Sequence, residues 1–121
     1  MKFKKFYYKR VSSTNDLAIK KINSGFTNGI IVADYQNKGR GQHGKKWLSF
    51  KGNLFLTIFF KIKNNINIKN ITSFNCKILK KILFNYTKKT ISIKPPNDLL
   101  IKKKKYVEYF KRLNLKMKQS L

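Results

Sequence analysis

Residues 34–60, DYQNKGRGQHGKKWLSFKGNLFLTIFF, set a loop of glycines and cations between two strand-like runs. The preceding run, GIIVADYQ at 29–36, is apolar and β-branched and reads as a buried strand. The following run, 53–62, alternates Leu54, Leu56, Ile58 and Phe60 with Phe55, Thr57, Phe59 and Lys61. Both faces are largely apolar, which predicts a central place in a sheet. Between them stand Gly39, Gly41 and Gly44, interleaved with Lys38, Arg40, Lys45 and Lys46 and closed by the single tryptophan, Trp47. Glycine permits positive φ and close backbone approach, so successive N–H groups can converge on phosphate oxygens. Arg40 adds a planar fork that grips phosphate or carboxylate in two places, and the lysines act as point charges. Taken alone, the loop fits a polyanion cradle and an ordinary basic surface loop equally well.

Working outward, residues 3–11 read as a strand, interrupted by Ser12, Ser13 and Thr14. Ser13 and Asp16 form a capping arrangement for a helix through Leu17, Ala18, Lys20, Lys21 and Ile22, with Gly25 as its stop. Residues 63–69 are polar and asparagine-rich, which suits a connection. Over 72–88 the apolar positions Phe74, Ile78, Leu79, Ile82, Leu83 and Tyr86 give the stripe of an amphipathic helix. Cys76 sits near that stripe, where packing is favoured over nucleophilic catalysis because His43 is the one possible histidine partner. A short strand at 90–93 is broken by Pro95 and Pro96, and Leu99, Leu100 and Ile101 restart one. With no internal repeat and no dividing linker, the expectation is α/β (α+β): one mixed β-sheet layer with helices covering one face.

At 121 residues the chain suits one domain with a modest core. Its 29 Lys plus Arg against four acids give a formal charge of +25, which taken alone suggests nucleic acid or an anionic membrane surface. Lys, Asn, Ile, Phe and Tyr make up more than half the chain, and all have A/T-rich codons, so a biased genome would generate the same charge. The lysines are spread along the chain, and Arg10, Arg40 and Arg112 are its only arginines, unlike a dedicated nucleic-acid binder. One cysteine and one histidine exclude an internal disulfide and a structural zinc site. The apolar runs fall far short of the roughly 18 residues of a membrane span, and the N-terminus lacks a signal-peptide core. The expected location is cytoplasmic.

Three patches remain: SSTND at 12–16, ADYQNKGRGQHGKKW at 33–47 and KPPND at 94–98, which hold Asp16, Asp34 and Asp98, three of the four acids. In this order they resemble the catalytic domain of biotin protein ligases, whose fold is of the class II aminoacyl-tRNA synthetase-like type. That family carries a serine-threonine-asparagine patch, a glutamine before a GRG loop ending in tryptophan, and a KWPND segment. Here these are Ser13, Thr14 and Asn15; Gln36 with Gly39, Arg40, Gly41 and Trp47; and Lys94, Pro96, Asn97 and Asp98. The resemblance runs from about Val11 to about Lys105.

The resemblance implies ATP-dependent formation of biotinyl-AMP and transfer of biotin to a lysine of the biotin carboxyl carrier protein of acetyl-CoA carboxylase. Carried over by position, Ser13, Thr14, Asn15, Gln36, Arg40, Gly41, Gln42 and Lys105 would contact biotin or its activated carboxyl, with Arg40 and Lys105 catalytic. Gly39, Arg40, Gly41, Gly44, Lys45, Trp47, Lys94, Asn97 and Asp98 would serve ATP and its phosphates. Both reactants are anions, so cations and backbone donors come before any acid or base. Trp47 could stack near adenine, brace the loop or anchor the core. Asn97 and Asp98 could orient phosphates or Mg²⁺, with Asp98 a weak metal ligand, or simply form a Pro-Asn-Asp turn.

Two departures stand out: Pro95 replaces the usual tryptophan of KWPND, and Ser12 stands where an acid is common. After Lys105 the family expects a glycine-containing strand, whereas this chain reads YVEYFKRLNLKMKQSL. Residues 106–111 can be written TAT GTG GAA TAT TTC AAA; one base earlier this reads ATA TGT GGA ATA TTT CAA, or Ile-Cys-Gly-Ile-Phe-Gln. The expectation is that 1–105 form the N-terminal part of the catalytic domain and 106–121 an out-of-frame tail, the shift lying in the Lys102 to Lys105 codons. The sheet would then be incomplete and activity weak or absent. With about a dozen residues before Ser13, no DNA-binding helix-turn-helix is expected there. The alternatives are a lipoate ligase of the same superfamily and a small basic RNA-binding protein.

Overall fold

Period-two alternation and one capped helix build the first of two compact units. The computed structural model describes residues 2–95, 97–101 and 104–108. One unit runs up to Ile62 and the other begins at Lys63, at the start of the polar connection expected from the sequence.

In the first unit β1 (Lys5–Val11) leads through α1 (Thr14–Asn23) to β2 (Asn28–Gln36), and a 3₁₀ turn at Gln42–Gly44 precedes β3 (Phe55–Phe60). β1 pairs parallel with β2, and β3 pairs antiparallel with its other side. The register aligns Phe6, Ile31 and Thr57 across the sheet, and next to them Tyr8, Ala33 and Phe55. Ala18, Ile31 and Phe59 are buried together, flanked by Phe6, Tyr8, Leu17, Ile22 and Phe26. Gly29 is required there: an added Cβ would lie 2.6 Å from the Phe59 ring and 3.1 Å from that of Phe6.

Ser13 caps α1 by accepting the Asp16 N–H at 3.3 Å. At the other end the Phe26 N–H reaches the Lys21 carbonyl and the Gly25 N–H that of Ile22, a Schellman closure with Gly25 at φ 102°. The central place expected of β3 is corrected: β2 is central, and β3 is an edge among the described strands. Its inward residues Phe55 and Phe59 are buried, whereas Leu56, Ile58 and Phe60 remain 43, 49 and 37% exposed. Only the inward face of β3 has α1 to pack against.

In the second unit α2 (Ile68–Thr87) precedes an antiparallel meander of β4 (Ile91–Lys94), β5 (Asp98–Ile101) and β6 (Lys104–Glu108). The described strands thus form two three-stranded sheets. α2 starts a turn earlier than its apolar stripe suggests, because Asn67 caps it by accepting the Lys69 N–H at 2.9 Å. The packed face also differs from the expected stripe. Cys76, Leu79 and Leu83 pack with Ile91, Ile93, Leu99 and Ile101, while Phe74, Ile78, Ile82 and Tyr86 are exposed. Of the proposed out-of-frame tail, 106–108 lie in β6 and 109–121 lie outside the described residues, as do Lys102 and Lys103.

Burial pushes the Cys76 thiol above its ordinary range, and the negative charge of Asp98 adds to this. Because the folded value is raised, this group favours the fold below the unfolded pKa and loses that contribution as pH rises through the folded one. Native Cys76 should therefore react with an aromatic disulfide reagent at pH 7.5 at least about tenfold more slowly than after denaturation, because less of the thiol is ionised and its sulfur is shielded. Equal rates in the two states would contradict its burial.

Candidate functional site

Parallel pairing of β1 with β2 brings the two N-terminal motifs side by side, because both strands end at the same level. Val11 pairs with Gln36, and beyond the strands the Asn37 N–H reaches the Val11 carbonyl at 3.3 Å and the Lys38 N–H the Ser12 carbonyl at 2.7 Å. The SSTN segment and the start of the glycine loop are thus one continuous structure. Gln36, buried at the end of β2, accepts the Thr14 N–H on Oε1 at 3.3 Å and donates from Nε2 to Ser49 Oγ at 3.1 Å. The first of these satisfies a helix N-terminal donor that the Ser13 cap does not reach.

The Arg40 guanidinium forms an ion pair with Asp16 in the first turn of α1, which ties loop to helix. The loop closes on itself: Trp47 N–H donates to the Gly39 carbonyl at 2.9 Å, Gly41 N–H to the Lys45 carbonyl at 2.6 Å, and Arg40 bridges Lys46. Glycine serves here differently from the sequence-based expectation. Gly44 alone of the three adopts positive φ, at 74°, after His43 at 56°. Gly39 is needed for proximity, since a Cβ would lie 2.5 Å from Gln36 Nε2 and 2.9 Å from Ser49 Oγ. The Gly41 and Trp47 N–H groups are committed to the loop itself, so in this conformation they are not phosphate donors. Trp47 is 38% exposed and is not a core anchor. Lys45 and Gly44 are exposed at the loop tip, beside Gln42 in the 3₁₀ turn.

A profile of the biotin/lipoate A/B protein ligase family matches residues 7–107. The chain belongs to that family. The bifunctional ligase/repressor BirA of Escherichia coli (strain K12) is 27% identical over 100 residues, covering 78% of this chain and 30% of that protein. Among solved structures, the biotin protein ligase of Aquifex aeolicus in complex with biotin and ATP is 31% identical, with a TM-score of 0.73 over 84% of this chain and 43% of that one. The biotin acetyl coenzyme A carboxylase synthetase of Helicobacter pylori, with biotinylated ATP bound, shares the fold at TM-score 0.72 and 21% identity, over 86% of this chain and 52% of that one. The chain thus spans under a third of its curated relative and about half of these ligases.

In this ligase-family chain Ser13, Thr14, Asn15, Gln36, Gly39, Arg40, Gly41, Gln42, Gly44, Lys45 and Trp47 all lie in the first unit. Lys94, Asn97, Asp98 and Lys105 lie in the second. There Lys94 ends β4 and pairs with Asp98, which opens β5, and Lys105 is a β6 residue paired to Leu100. Asn97 is 4% exposed, and its Nδ2 finds no hydrogen-bond partner among the described residues. A buried amide in that state is a donor available to a ligand. Among the described residues no cluster of three His, Cys, Asp or Glu could hold a metal, and no helix is long and apolar enough to cross a membrane.

Asp34, singled out as a retained acid, instead accepts the Tyr7 phenol, whose pKa rises chiefly through that bond. Sequence reading also missed Ser49 and Thr57. The Thr57 hydroxyl lies 2.9 Å from Thr14 Oγ1 and 2.7 Å from Asn15 Oδ1. As the one hydroxyl between Phe55 and Phe59 on the inward face of β3, Thr57 was detectable; Ser49 carries no comparable signal. A depression of about 490 Å³ lined by Lys9, Arg10, Asp34, Tyr35, Lys51 and Gly52 includes none of the candidate site residues.

Proposed function

We propose that this chain carries the reactant-binding part of an ATP-dependent biotin ligase, which makes biotinyl-AMP and biotinylates a lysine of the biotin carboxyl carrier protein of acetyl-CoA carboxylase. The observation that carries this reading is the junction in which Gln36 accepts the Thr14 N–H and lies close against Gly39, while Arg40 pairs with Asp16 in the first turn of α1. Solved relatives holding biotin and ATP support it. In the first step a biotin carboxylate oxygen attacks the α-phosphorus of ATP, the bond to the β-phosphate oxygen breaks and pyrophosphate leaves. In the second, the carrier lysine amine attacks the acyl carbon, the acyl–oxygen bond breaks, AMP leaves and the amine loses a proton.

Arg40 is assigned to the charge that carboxylate and phosphate bring together, with Lys105 at the activated carboxyl; Lys45 and Lys94 add positive charge for the phosphates. Ser13, Thr14, Asn15, Gln36, Gly41 and Gln42 are assigned to biotin. Gly39, Gly44 and Trp47 shape the nucleotide side, and the Asn97 amide is assigned to a phosphate oxygen. Mg²⁺ would arrive with ATP and spread its phosphate charge, held mainly by substrate with Asp98 as a weak additional ligand.

Titrating the protein with biotin and with lipoate tests this reading. Biotin should bind at least about tenfold more tightly, a difference of about 1.4 kcal/mol; the reverse order would favour the lipoate ligase alternative. We also propose a change of reading frame in the lysine codons ending at Lys105, with residues from 106 onward out of frame. Sequencing the gene and its transcripts there should reveal a frame encoding the Cys-Gly-Ile strand, and a frame without it would dismiss the shift.

A further inference from the structure

We propose that Thr57 is a positioning residue that fixes the proton direction of the Thr14 hydroxyl, making it a hydrogen-bond acceptor and selecting a ligand ring that offers N–H donors. This rests on the reading of Thr14 as a biotin contact. Thr57 occupies an inward position on β3 between the buried Phe55 and Phe59, across from Ile31. A hydroxyl among such neighbours is unfavourable unless bonded, and it is bonded twice: to Asn15 Oδ1 at 2.7 Å and to Thr14 Oγ1 at 2.9 Å.

A hydroxyl has one proton and two lone pairs, whereas a carboxamide oxygen has lone pairs only. The Thr57 proton therefore goes to Asn15 Oδ1. The contact with Thr14 is then a hydrogen bond only if Thr14 donates. Once that proton is committed, Thr14 Oγ1 can only accept from a ligand. The neighbouring Gln36 has the same sense on this side: Oε1 accepts the Thr14 N–H, while its Nε2 is directed to Ser49.

An acceptor at Thr14 Oγ1 calls for a donor on the ligand. The cyclic urea of biotin carries two N–H groups, and the dithiolane of lipoate carries none. Thr57 thus contributes to specificity without touching the ligand, by orienting a proton one residue away.

Thr57→Val keeps the shape and removes the relay. Calorimetric titration should show the Kd for biotin rising about tenfold or more, as expected when a polar group loses its partner. The Kd for ATP should stay within about twofold, and the preference for biotin over lipoate should fall by about the same factor as biotin affinity. Thr57→Ser, which restores the hydroxyl, should return biotin binding to within about threefold of the parent. Thr57→Ala, which adds no bulk, should repeat the selective loss if the valine variant fails to fold. Unchanged biotin affinity in Thr57→Val, or parallel loss of biotin and ATP binding that serine does not rescue, would overturn the proposal. An unmutated protein that binds ATP but not biotin would instead defeat the parent reading.

Discussion

Replacing Arg40 by alanine is expected to weaken binding of a non-hydrolysable biotinyl-AMP analogue by about 10²- to 10³-fold, within the 2–5 kcal/mol cost of truncating one partner of a hydrogen-bonded charge pair. The fold should survive, since the Arg40 and Asp16 side chains are 32 and 42% exposed, and such a pair contributes about 1 kcal/mol or less. Arg40→Lys keeps the charge but loses the planar fork, so it should recover only part of the affinity. Calorimetric titration checks both, with circular dichroism reporting the fold. A loss below about threefold in Arg40→Ala would remove the central cation from the proposed site.

Gly39→Ala should be the most damaging small substitution in the loop. The new methyl would lie 2.5 Å from Gln36 Nε2 and 2.9 Å from Ser49 Oγ. Gln36 is not free to swing aside, because its carboxamide is buried and bonded at both ends. Displacing it leaves the Thr14 N–H and the amide short of partners, at about 1–3 kcal/mol for each unsatisfied group. Biotin affinity should fall about 10- to 100-fold, and the melting temperature should drop by several degrees. If the loss acts through Gln36, then Gln36→Ala and Gly39→Ala combined should cost much less than their sum. Additive losses would separate the two residues.

Local signals located most of the elements. The Ser13 cap, the Gly25 stop, the apolar run of β2 and the alternation in β3 were legible because a few neighbouring residues decide each. Non-local choices were not legible. The apolar residues on both faces of β3 suggested a central strand, yet pairing order put β2 in the middle. On α2, Cys76 joined Leu79 and Leu83 on the packed face, while Phe74 and Tyr86 were left exposed, because the choice of face depends on where β4 and β5 lie.

The motif residues of the first unit were legible as types, but their roles depended on contacts across the sequence. Thr57 meets Asn15 from 42 residues away. The need for glycine at Gly39 comes from the Gln36 side chain rather than from backbone conformation. The Asp16–Arg40 pair was hidden for the same reason: in a chain of formal charge +25, nothing local says which cation an acid will choose.

Thermal unfolding with biotin, with ATP and with both together tests the proposed biotin and ATP site most directly. Ligand at about 100 times its Kd should stabilise the protein by about 2.7 kcal/mol, raising the melting temperature by several degrees. Biotin and ATP together should exceed the effect of either alone, because each is assigned its own part of the proposed site. No change with biotin in the presence of ATP, combined with tight RNA binding that salt abolishes, would contradict the ligase reading and leave the basic RNA-binding alternative.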